Sequence, residues 1–68
     1  MKYSRLIKKL DEQEKKIFEI LETRKEADID EIYLNSGLTA SKVAAILLKL
    51  EFDGLITSLP GKRFKVNG

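Results

Sequence analysis

The sequence holds 68 residues, 35% of them charged and 43% hydrophobic, with a formal net charge of +2 and neither cysteine nor histidine. A chain of this size supports one small-cored domain, and the composition is that of a folded rather than a disordered protein. The missing residue types exclude disulfides, thiolate metal sites and histidine acid–base chemistry.

The first ten residues form a basic extension or linker ahead of a domain expected over residues 11–68. Tyr3, Leu6, Ile7 and Leu10 fall at helical spacing, beside Lys2, Arg5, Lys8 and Lys9. No apolar segment follows Met1–Arg5, so no signal peptide is expected. The longest apolar run, Val43–Leu48, has six residues, against about 18 for a membrane span. A cytoplasmic protein with no membrane partner is expected.

Asp11 offers an N-cap and Glu14 completes a capping box for helix 1, whose apolar stripe is Ile17, Phe18, Ile20 and Leu21. This helix should end near Arg24-Lys25, where cations suit the helix dipole. Ile29 reads as a short extended bridge and Asp30 as the N-cap of helix 2, Glu31–Ser36, which should bury Ile32 and either Tyr33 or Leu34. Gly37 stops that helix in the left-handed conformation. Thr39 caps helix 3, which runs from Ala40 to about Asp53 with Val43, Ile46, Leu47 and Leu50 buried. Gly54 ends it. Leu55–Leu59 and Arg63–Val66 are strand-like, and Pro60-Gly61-Lys62 turns the chain between them. The expected fold is mainly α with a small β-hairpin: a winged helix-turn-helix, three helices and a wing.

Charge is uneven along the chain. Residues 1–10 carry +4, residues 11–36 carry −5 and residues 37–68 carry +3. Basic ends around an acidic middle suggest a polyanion footprint on one side of the module.

The second half has a recognisable pattern: Leu38-Thr39-Ala40-Ser41-Lys42-Val43, then Leu47-Leu48-Lys49-Leu50-Glu51-Phe52-Asp53-Gly54-Leu55-Ile56, then Leu59-Pro60-Gly61-Lys62-Arg63-Phe64. It resembles the C-terminal winged-helix domain of the DNA processing protein DprA, or Smf, over about residues 11–66. Phe52, Ile56 and Phe64 stand where the family pattern has Leu, Val and Tyr; Phe64 lacks the tyrosine hydroxyl. The resemblance implies either the C-terminal domain of a longer protein or a stand-alone relative. It also implies a role in DNA uptake, natural transformation and recombination, with the RecA recombinase and a Rossmann-like parent domain as partners.

No catalytic constellation is found, so no enzyme, cofactor, metal or small-molecule substrate is expected. Asp28, Asp30 and Glu31 read as helix-start acids rather than metal ligands, and the glycines match no phosphate loop. A helix-turn-helix presents the start of its second helix to DNA, which here offers Ala40, Ser41, Lys42, Ala45 and Lys49. Without Arg, Asn or Gln this is a poor base-reading head, though its lysines can contact phosphates. The wing adds Lys62, Arg63 and Lys65; lysines on a hairpin edge also discourage aggregation. The expected nucleic-acid-binding residues are therefore Ser41, Lys42, Lys49, Lys62, Arg63 and Lys65, projecting to a common side and holding single- or double-stranded DNA with little sequence preference. Glu51 is expected to pair with a nearby base. Tyr33, Phe18, Phe52 and Phe64 are expected in the core. The alternatives are a protein-interaction winged helix, using the exposed Glu12, Glu19, Glu22 and Glu26 of an acidic surface, for RecA or self-association, and a small transcription regulator.

Overall fold

The computed structural model describes residues 9–67. The extension therefore lies outside the described residues but for Lys9 and Leu10, the latter buried. Helix α1 spans Glu12–Arg24. Asp11 caps it, accepting from the Glu14 backbone N–H at 2.8 Å while Glu14 Oε1 accepts from the Asp11 N–H at 3.0 Å. Satisfying two otherwise orphaned donors fixes where the helix starts. Its end is the positive-φ residue Lys25, at φ 71° and ψ −43°.

A second capping box opens helix α2, Ile29–Ser36. Here Asp28 is the cap and Glu31 its partner, which corrects the expectation that Asp30 caps this helix. The reason lies one step earlier: Glu26–Asp28 is a strand, β1, so the extended segment ends at Asp28 and Ile29 already belongs to the helix. Asp30 sits in the first turn, where its charge favours the positive end of the dipole. Gly37, at φ +72°, terminates α2 in the left-handed conformation. Of the α2 side chains Ile32 and Ser36 are buried; Tyr33 (43% exposed) and Leu34 (76%) are not, contrary to expectation.

Helix α3, Ala40–Phe52, is capped by the Thr39 hydroxyl, which accepts from the Lys42 N–H at 3.2 Å. Strands β2, Ile56–Leu59, and β3, Arg63–Val66, form the wing. Pro60 and the positive-φ Gly61 make the tight part of its turn, and Lys62 follows at φ +58°. The sheet order is β1-β3-β2, both pairings antiparallel, with Ala27 opposite Phe64 and Ser58 opposite Phe64 on the other side. One further bond, from the Ile29 N–H to the Lys62 carbonyl at 3.0 Å, ties the wing turn to the start of α2.

The core lies between the helices and one face of this sheet. Ile17, Phe18 and Leu21 come from α1, Ile32 from α2, Val43, Ile46, Leu47 and Leu50 from α3, and Ala27, Leu55 and Ile56 from the sheet region, with Phe64 and Val66 packed against them. The whole is mainly helical with a β wing, a winged helix. No helix among the described residues is long and apolar enough to cross a membrane.

Candidate nucleic-acid interface

The site was expected from α3 and the wing, so the faces of α3 decide what it can be. Its buried stripe is Val43, Ile46, Leu47 and Leu50. Lys42 and Lys49, seven residues apart, share the flank beside α1. The other flank, with Ala44 and Leu48, borders a hollow also lined by Ile29 and Phe64. Residues pointing straight outward, such as Ser41, Ala45 and Phe52, are exposed.

Lys49 is held by the protein itself. Its Nζ lies 2.6 Å from Glu14 Oε2, the oxygen left over from the α1 capping box. Glu14 is buried although Lys49 is half exposed. The bond to the Glu14 carboxylate raises the Lys49 pKa above the ordinary lysine value, so the ammonium form is favoured in the fold.

Arg63 is held too. Phe64 and Val66 face the core, so Arg63 and Lys65 project from the opposite face of the sheet. There Arg63 Nε donates to Glu26 Oε1 at 2.6 Å, and its Nη1 lies 3.9 Å from Asp28 Oδ2. These β1 carboxylates, Glu26 first, raise the Arg63 pKa. Lys65 stands opposite Glu26 and Thr57 in register. Lys62 is exposed at the wing turn. Lys42, Lys62 and Lys65 make no ion pair among the described residues.

The six expected residues are drawn from three parts of the fold. Ser41, Lys42 and Lys49 belong to α3; Lys62 sits at the wing turn; Arg63 and Lys65 lie on the outer sheet face, Arg63 among carboxylates. Two expectations are corrected. Glu51 Oε2 accepts from the Ser58 hydroxyl at 2.7 Å and takes part in no ion pair among the described residues, because β2 passes closer to it than any base does. Phe52 is 90% exposed instead of buried, and with Tyr33 it lies outside the core that Phe18 and Phe64 join. Sequence reasoning also missed Glu14 as a partner of Lys49; a capping glutamate carries no local sign of the cation that will meet its free oxygen.

No curated protein and no solved structure matches the chain. The family model of the DprA winged helix domain matches residues 3–62, most of the chain. The helix order, the capped α3 and the Pro60-Gly61 wing agree with that match, and the chain belongs to the DprA winged-helix family.

Proposed function

We propose that this domain is the nucleic-acid-binding module of a DprA-like DNA processing protein, holding phosphates without reading bases and doing no catalysis. The observation that carries the reading is that Lys42, Lys62 and Lys65 are exposed and free of internal ion pairs, while α3 offers no Arg, Asn or Gln to a base edge. Lys42, beside Ser41 in the first turn of α3, stands where helix-turn-helix proteins meet DNA. Lys49 and Arg63 serve as weaker contacts, since each must leave a carboxylate to reach a phosphate. Family membership supports a setting in DNA uptake, natural transformation and recombination in the cytoplasm, alongside RecA and a Rossmann-like parent domain.

Fluorescence anisotropy with labelled single- and double-stranded oligonucleotides tests this. Three phosphate contacts should cost about 40-fold in affinity between about 50 and about 200 mM salt. Lys42→Glu combined with Lys62→Glu should weaken all sequences alike and flatten that dependence. Salt-independent binding, or a double variant that binds as tightly as the native chain, would refute the proposal.

A further inference from the structure

One stripe of α3 has no role in phosphate binding. Ala40, Ala44, Leu48 and Phe52 recur every four residues, and Leu48 is 67% exposed with Phe52 more so. Ala44 and Leu48 line a hollow with Ile29, Glu51 and Phe64. Ile29 also lines the next hollow, with Tyr33, Ala40 and Asp30. The two hollows meet at Ile29 and together flank α3 from Ala40 to Glu51, an interrupted trough between α2, α3 and the wing. The α3 residues that line it run from Ala40 to Glu51, eleven residues of rise, about 16 Å, or three turns of a facing helix.

Apolar side chains offer a phosphate nothing, whereas exposed apolar patches mark protein partners. A groove of this length suits an amphipathic helix anchored at i, i+4 and i+7. Charge selects the kind of helix. Each hollow is lined by one carboxylate, Asp30 or Glu51, and neither is lined by a cation. Asp30 makes no ion pair among the described residues, and Glu51 has only the Ser58 hydroxyl as a side-chain partner there. The α2 wall, Ile29–Ser36, holds no base, and of its two acids Glu31 is already paired with Arg24, which leaves Asp30. We propose that this trough docks a cationic amphipathic helix of a partner protein, its apolar face on Ala44 and Leu48 and its lysines or arginines at Asp30 and Glu51.

The test titrates the isotope-labelled chain with a Leu/Lys model helix of about 14 residues, and with the matched Leu/Glu helix, following amide shifts by NMR. Shifts should centre on residues 29–33, 44–51 and 64 and appear with the cationic helix alone. Leu48→Ser, at an exposed position, should keep the fold and weaken that helix at least about tenfold while leaving DNA binding intact. Lys42→Glu should do the reverse. Equal binding of the two model helices, unchanged affinity of Leu48→Ser, or shifts centred elsewhere would overturn the proposal. So would concentration-dependent shifts of the same residues without peptide, which assign the trough to a second copy. Displacement of the model helix by a peptide of residues 1–10 would assign it to the chain's own basic segment and overturn the proposal equally.

Discussion

The helices α1 and α2 open with the same four-residue device, Asp11 with Glu14 and Asp28 with Glu31, and each glutamate spends its second oxygen on a cation. Glu14 takes Lys49, 35 positions away on another helix, from a buried site. Glu31 takes Arg24, seven positions away, at the surface, with Asn35 Oδ1 accepting from the same guanidinium at 3.4 Å. One motif therefore does two jobs. At α2 it finishes a helix start and decorates the surface; at α1 it also fastens α3 to α1. The difference lies in the glutamates, since Glu14 is 7% exposed and Glu31 36%: losing Glu14 strands buried bonds, whereas water can replace Glu31.

The largest effect should separate the two glutamates. Glu14→Ala leaves the Asp11 N–H and the Lys49 ammonium without their acceptor beside the core, and should cost about 2 kcal/mol in urea unfolding. Glu31→Ala, at the surface, should cost under about 1 kcal/mol. Equal losses would erase the distinction. The caps themselves should behave alike: Asp11→Ala and Asp28→Ala should each cost about 1 kcal/mol, because both remove the same bond to an N3 amide. A large gap between them would mean that one box carries more than capping.

A pH series sharpens the comparison further. Lys49 has a raised pKa in the fold, so its contribution is fully present below the ordinary lysine value of 10.5 and is lost as pH rises through the raised one. The stability gap between the native chain and Lys49→Met should stay constant from neutral pH to about 10, then close. A gap that widens with alkali would contradict the Glu14 contact. The smallest effect is expected at the surface: a double-mutant cycle on Arg24 and Glu31 should give about 0.5 kcal/mol, vanishing at about 1 M salt, where charges are screened beyond about 3 Å.

Much of the fold was legible because its signals are local. Asp11 with Glu14, Thr39, Gly37 and the Pro60-Gly61 turn each mark a boundary through bonds or dihedral angles within four residues. Strand β1 was not legible. It contributes a single buried residue, Ala27, and exists because Arg63–Lys65 lie across from it. Missing it displaced the cap of α2 by two residues, since Asp28 and Asp30 are equally good caps until the strand is known. The stripe from Ala40 to Phe52 is plainly visible in the sequence, yet its spacing equals that of a core stripe. Only the competing packing of Val43, Leu47 and Leu50 decides which goes inside. The cationic site was half legible: the lysines and arginine can be read off, but the carboxylates holding Lys49 and Arg63 lie 35 and 37 positions away.

The middle position of β3 in the sheet has a consequence for how the sheet can come apart. β1 and β2 do not pair with each other, so both ladders run through Arg63–Val66. Loss of that one strand leaves Glu26–Asp28 and Ile56–Leu59 without a ladder, and the sheet dissolves whole instead of shedding an edge.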